Sequence, residues 1–151
     1  MVDALHRARR WVAGGRVIDL RPADTSATVI VDLPDGSQRA VGDLVVDAAR
    51  RERYAAADAA VRTVVGEGVF RSDAEETFWF YSYADTADEL RDHIATWRET
   101  RLHPDTRAAA AALLTAHPGA RLRLRERVRM RLLVQGPVAS GPCERTDDLA
   151  V

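Results

Sequence analysis

Arginine occupies positions 121, 123, 125, 127, 129 and 131, with Leu122, Leu124, Val128, Met130 and Leu132 between them and Glu126 the one exception. On a helix, at ~100° per residue, those arginines would point in all directions; at a period of two they make one face and the aliphatics the other. The alternation predicts a strand over 121–134 to which the rest of the chain must be fitted. Glu126 interrupts the aliphatic face, so a bulge there, exchanging the faces over the last half of the strand, is an expectation.

The same pattern reading assigns the earlier segments. Residues 3–13 read as a helix with Leu5, Ala8 and Val12 on one side and Arg7 and Arg10 on another, stopped by Gly14-Gly15. Arg16 to Leu20 is a short strand, whose nearly continuous apolar run fits cover on both faces. Thr28 to Leu33 and Gln38 to Val41 form a hairpin about Pro34-Asp35-Gly36-Ser37, with proline set for the first central position and glycine free to take positive φ. Between Asp43 and Glu67 the period becomes helical: Tyr54, Ala57, Val61, Val64 and Val65 make the inner stripe, Arg51, Glu52, Asp58 and Arg62 lie outside, and Gly66 and Gly68 end it. Val69 to Ala84 is again β-like, with Phe78 and Phe80 on one face and Trp79, Tyr81 and Tyr83 on the other. Thr86 and Glu89 fit a capping box ahead of a helix whose stripe is Leu90, Ile94 and Trp97. Pro104 opens an alanine-rich helix over 105–116, closed by Pro118-Gly119. After Val134 the composition turns to glycine, proline and serine, and 136–151 reads as a disordered tail.

Composition narrows the function classes. A chain of 151 residues with 46% hydrophobic content suits one domain with a real core. All 22 basic residues are arginine against 23 acidic ones, so a net charge of -1 leaves no global field for nucleic acid or anionic membrane. Nucleic acid is therefore not the expected partner, and any basic feature must be local. Cys143 is the lone cysteine, which excludes an internal disulfide framework and fits a reducing cytosol. No apolar run approaches the ~20 residues of a membrane span, so a cytoplasmic protein without membrane contact is expected.

The order helix, Gly-Gly, short strand, helix, aromatic strand, two helices, final strand resembles the second half of a class I S-adenosylmethionine-dependent methyltransferase. The run from His6 through Gly14-Gly15 to Pro22 carries the likeness most directly, with Val12-Ala13 where the family commonly has arginine and proline. The resemblance implies an α/β fold: a partial, Rossmann-like mixed sheet with an antiparallel final strand pair and about four helices, in one domain over 1–135, with 23–42 an inserted β-hairpin. It places 121–134 inside the sheet, between 16–20 and 77–83. The glycine-rich strand-loop-helix of the family's first half has no counterpart ahead of Arg16, and Gly66-Glu67-Gly68 ends a helix rather than starting one. The chain alone is thus expected to bind no cofactor, and S-adenosylmethionine only if another segment or chain completes the fold. Without the neighbour that the family provides, the Arg16–Leu20 edge needs cover, either from the hairpin or from a homodimer or partner protein.

Several residues are candidates for chemistry. Asp19 and Arg21 end the strand where ligands collect in open α/β sheets, and in the family this neighbourhood lines the acceptor pocket; the alternative is local bonding and solvation. Trp79, Tyr81 and Tyr83 read as core, or as a wall for a flat substrate. Trp11 and Trp97 read as packing. The arginine face offers bidentate forks for phosphate, but Asp73, Glu75, Glu76, Asp85, Glu89 and Asp92 are placed to neutralise it. His6, His93, His103 and His117 are scattered without metal-ligand spacing, and no serine sits in a Gly-x-Ser-x-Gly setting. No catalytic residue is assigned. Three functional readings follow: a methyltransferase-like domain acting by self-association or partner association, the acceptor-binding half of a methyltransferase completed by a partner chain or an N-terminal segment, and an anion or nucleic-acid module built on the arginine strand.

Overall fold

The computed structural model describes residues 1–11, 14–23 and 26–136. Its elements, in order, are α1 (Val2–Trp11), β1 (Arg16–Pro22), β2 (Thr28–Asp32), β3 (Gln38–Asp43), β4 (Val45–Val46), α2 (Ala48–Gly66), β5 (Phe70–Ala84), α3 (Ala87–Ala95), β6 (Thr100–Arg101), α4 (Pro104–Ala116) and β7 (Arg121–Gln135). The α/β class, the four helices, the hairpin and the antiparallel final strand are those expected. The tail, apart from Gly136, lies outside the described residues, as do Val12 and Ala13 of the Gly-Gly run.

The arginine strand β7 is the spine of a five-stranded sheet. One of its edges pairs antiparallel with β5 over their whole length, from Phe70↔Gln135 to Ala84↔Leu122. Its other edge is shared: β2 pairs with 121–125 and β1 with 128–134, both antiparallel. The spine therefore does lie between 16–20 and 77–83, and β1 and β5, each antiparallel to it, run parallel to each other. β3 continues outward from β2. The hairpin thus lies end to end with β1 along β7 and does not cover the outer edge of β1, which pairs with no strand among the described residues. A two-stranded sheet of β4 and β6, unforeseen from the sequence, ties the start of α2 to the segment after α3.

Two apolar cores lie on opposite faces of the sheet. On the aliphatic face, Leu122 and Leu124 of β7 join Val29, Val31 and Ala84, and all are covered by Leu90 and Ile94 of α3 and Ala110 of α4. The Thr86 cap forms, its Oγ1 accepting from the Glu89 amide at 3.0 Å, while the Glu89 carboxylate accepts from the amide of Asp85, one residue ahead of the cap, at 2.8 Å. α4 runs so close to β3 that a Cβ at Gly42 would collide with the Thr106 side chain. On the arginine face, alternation ends at Leu133, which is fully buried with Phe70, Val61 and Val64, while Val2, Leu5 and Val17 pack around them. Here α1 and α2 form the cover. Among the described residues no helix is long and apolar enough to cross a membrane.

Three expectations are corrected. β7 has no bulge at Glu126; the irregularities fall between Ser72 and Ala74 of β5 and between Val29 and Ile30 of β2, so the faces of β7 never exchange. Asp58 turns toward the sheet rather than outward, because three arginines lie beneath it. Trp11 is 82% exposed at the end of α1, whereas Trp97 is half-buried against the α3 core.

Candidate functional site

Because α3 and α4 cover one half of the aliphatic face and α2 covers one end of the arginine face, each face keeps one region bare. The geometry that could carry function lies in those regions and at their borders.

Under α2 the arginine face is closed by charge. Asp19, Arg21, Arg129 and Arg131 are brought together by the rows Asp19↔Arg131↔Glu75 and Arg21↔Arg129↔Thr77. Arg21 donates from Nε to Asp19 Oδ1 at 2.7 Å and from Nη2 to Oδ2 at 2.5 Å, and lies 3.0 Å from Asp58. Asp58 also receives Arg129 and, at 3.0 Å, Arg131, while Arg131 Nε donates to Glu75 at 2.7 Å. Burial pushes the Asp58 carboxyl upward, but the hydrogen bond and charge of Arg129, with Arg21 and Arg131, hold it below the ordinary 3.8. Burial likewise opposes the Arg131 cation, and the carboxylates of Glu75 and Asp58 outweigh it, raising that pKa. Three guanidinium groups are matched by three carboxylates. Asp19 and Arg21, the expected acceptor contacts, pair with one another; Arg21 also meets Asp58, and Asp19 lies 3.9 Å from Arg131.

Beyond α2 the same face is open. Trp79, Tyr81 and Tyr83 project from β5 beside the arginines of β7, and they are not core: they are 48%, 37% and 54% exposed. The reason is topological, since β5 is an edge strand and no helix reaches this part of the face. Each ring carries a guanidinium from the arginine one step along the diagonal: Arg125 over Trp79 at 4.7 Å, Arg123 over Tyr81 at 5.0 Å and Arg121 over Tyr83 at 5.7 Å. Arg121 also meets Asp85 at 3.3 Å and Arg123 meets Asp32 at 2.8 Å. Asp85 and Glu75 were anticipated as partners; Asp32, Asp58 and Asp19 were not. Neither Arg125 nor Arg127 pairs with a carboxylate among the described residues, and the Arg125 Nε is buried without a hydrogen bond.

On the aliphatic face, the half of β7 beyond Glu126 lacks a helical cover. Ile18 and Leu20 of β1 are 64% and 56% exposed, Phe78 and Phe80 of β5 are 40% and 50% exposed, and Val128, Met130 and Leu132 lie between them. A groove of about 240 Å³ runs between Leu20, Pro22, Phe78, Phe80 and Val128. Glu126 closes one end of it, where a second cleft of about 320 Å³ holds Arg50, Arg53 and Arg98. Burial raises the Glu126 pKa above its ordinary 4.5, and the charge of Arg50, at 3.8 Å, only partly offsets this. Arg50 is itself buried, held by the Tyr54 hydroxyl at 2.8 Å and by Thr100, and flanked by the rings of Tyr54 and Trp97. Sequence reasoning marked Glu126 as an exception but missed Arg50. The only available signal was an arginine on the inner side of α2, four residues before Tyr54.

The four expected site residues therefore share one face but not one environment. Asp19 and Arg21 are enclosed under α2, whereas Trp79 and Tyr81 stand in the open. Among the described residues no three histidine, cysteine or acidic side chains are grouped to hold a metal ion. No protein-family model matches the chain, and neither does any curated protein or solved structure.

Proposed function

We propose that this chain is an association module: a methyltransferase-like half-sheet that pairs with a second copy through the bare aliphatic face and the adjoining Arg16–Leu20 edge. One observation carries the reading. A single alternating strand has its aliphatic side buried under α3 and α4 in one half, and in the other half has no helix over it, with Met130 and Leu132 half-buried beside four exposed apolar residues of β1 and β5. Half-exposed rings show on the order of 100 Å² each, so Phe78, Phe80, Ile18 and Leu20 together form a patch of roughly 400 Å², the size that marks interaction surfaces. That is about half of the ~800 Å² per partner in a standard interface, and the uncovered strand edge and the rim supply the remainder. The rim bears both signs, Arg16 and Glu76 at one end and Arg53 and Glu126 at the other, which suits a self-complementary contact about a two-fold axis. The charge balance and the single cysteine support a cytosolic setting.

Sedimentation at ~10 µM tests it, a concentration at which an ordinary specific dimer is assembled. The unaltered chain is expected as a dimer, and Phe80→Glu as a folded monomer with an unchanged circular dichroism spectrum. A monodisperse monomer for the unaltered chain overturns the proposal.

A second reading is favoured by the free outer edge of β1, the position at which the methyltransferase family continues its sheet. A partner chain or an N-terminal segment carrying a glycine-rich lobe would then complete an S-adenosylmethionine-dependent enzyme, with Trp79 and Tyr81 near the acceptor. Calorimetry separates the two. No heat is expected from S-adenosylmethionine and this chain alone under either reading, and heat that appears only with a partner present supports the second.

A further inference from the structure

We propose that the open arginine–aromatic face, independent of the association surface, binds single-stranded nucleic acid. The face has the three features that such a ligand needs. Its rings are exposed and stand in a row, Trp79, Tyr81 and Tyr83 on one strand. Its cations are held rather than floppy, since stacking on those rings fixes the guanidinium groups of Arg121, Arg123 and Arg125. And its charge is locally uncompensated: Arg121 and Arg123 have carboxylates, but Arg125 and the exposed Arg127 have none among the described residues.

The diagonal pattern sets where each part of the ligand goes. Each guanidinium takes one face of a ring, and the series stops at Trp79, because the residue that would come next, Thr77, is not aromatic. No cation other than Arg125 lies over Trp79, so this ring terminates the ladder beside Arg127, its partner in register. A base stacks on Trp79 and phosphates meet Arg125 and Arg127. Rungs two residues apart recur every ~6.8 Å at a strand rise of ~3.4 Å, so the arginines form a regular row along β7. A duplex hides the base faces that Trp79 requires, which is why the proposal specifies single strands.

The test is fluorescence anisotropy with a labelled oligothymidylate of about 15 nucleotides, within the site sizes typical of such surfaces. The expected dissociation constant is on the order of 10 µM at about 50 mM salt, weakening roughly tenfold by about 200 mM as two to three phosphates are released from their counterions. The pair Arg125→Glu and Arg127→Glu is expected to abolish binding. Should the pair fail to fold, Arg127→Glu alone, at an exposed position without an ion pair, is expected to weaken it at least fivefold. Trp79→Ala is expected to weaken binding about tenfold and Trp79→Phe to retain most of it. No binding, competition by polyglutamate at equal charge concentration, or an unchanged affinity in Trp79→Ala each overturns the proposal; the second outcome would mark a surface for acidic protein partners instead.

Discussion

The two halves of β7 have the same alternating composition and opposite fates. In the first, Leu122 and Leu124 are buried beneath α3 and α4, while on the opposite face the exposed aromatic rings of β5 stand over Arg121, Arg123 and Arg125. In the second, the arginines are enclosed with Asp58 beneath α2 while Met130 and Leu132 are only half-buried, between the exposed Ile18, Leu20, Phe78 and Phe80. A strand's periodicity thus fixes which residues share a face, but the helices decide which face is inside. Where both are available, α3 and α4 satisfy an apolar surface and α2 satisfies a charged one, leaving two unlike surfaces at opposite corners of one sheet.

The sharpest way to break this comparison is to remove volume from each half. Leu124→Ala, in the closed core, is expected to cost about 2–5 kcal/mol, whereas Met130→Ala should cost less than about 1 kcal/mol in the separated chain. Chemical denaturation at low protein concentration checks both. If Met130→Ala grows costlier as concentration rises, the second half is being covered by another copy, which ties stability to the association proposed above.

Asp58 tests the charged enclosure. Its side chain is 24% exposed, so Asp58→Ala is expected to cost about 2 kcal/mol at neutral pH, less than a fully buried pair would, by leaving Arg21, Arg129 and Arg131 short of a shared acceptor. The pH dependence has a definite sign. A carboxyl held below 3.8 in the folded state contributes stability that is fully present above 3.8 and is lost as pH falls through the lowered value. The gap between the unaltered chain and Asp58→Ala should therefore narrow on acidification, as read from melting temperatures across the acid range. A constant gap would mean that Asp58 acts through packing alone.

Much of this architecture was legible in the sequence because it rests on period and punctuation. The alternation over 121–134, the hairpin about Gly36 and the Thr86–Glu89 cap each follow from local rules and each formed. What was not legible depends on which layer meets which face. The exposure of Trp79 and Tyr81 follows from β5 being an edge strand, which no local pattern states. The inward turn of Asp58 follows from the register that sets Arg129 beside Arg21. Glu126 looked like a bulge signal because a charge on an aliphatic face breaks the pattern; it stays in register instead, since Arg50 reaches it from α2. The switch from arginine to Leu133, which marks where α1 and α2 dock, was present in the sequence as the end of the alternation.

A smaller effect probes the cover of the first half. Thr86→Ala removes the acceptor for the Glu89 amide at the start of α3 and is expected to cost about 1 kcal/mol. Thr86→Ser should recover most of it. Because α3 covers Leu122 and Leu124 and not Met130, amide exchange in the variant should rise in the first half of β7 and leave the second unchanged; a uniform rise would show that the two halves unfold as one unit.

The smallest expected effect falls on the border between the halves. Glu126 is the one charged residue on the aliphatic side of β7, and burial raises its pKa above 4.5 despite Arg50. A raised folded-state value means that the protonated form is favoured by folding: the contribution is fully present below 4.5 and is lost as pH rises through the raised value. At neutral pH the carboxylate is therefore a net cost, and Glu126→Gln, which keeps the shape and removes the charge, is expected to raise stability by several tenths of a kcal/mol there and to make no difference at pH 4. Arg50 would lose a partner at 3.8 Å but keep the Tyr54 hydroxyl, Thr100 and two aromatic rings, so the loss on its side is small. Thermal melts at the two pH values decide it. A less stable variant at neutral pH would mean that the pair with Arg50 outweighs burial, and that the second half of the aliphatic face is bounded by a working ion pair. If the gain instead increases with protein concentration, Glu126 is being buried further by the copy that covers the groove it closes.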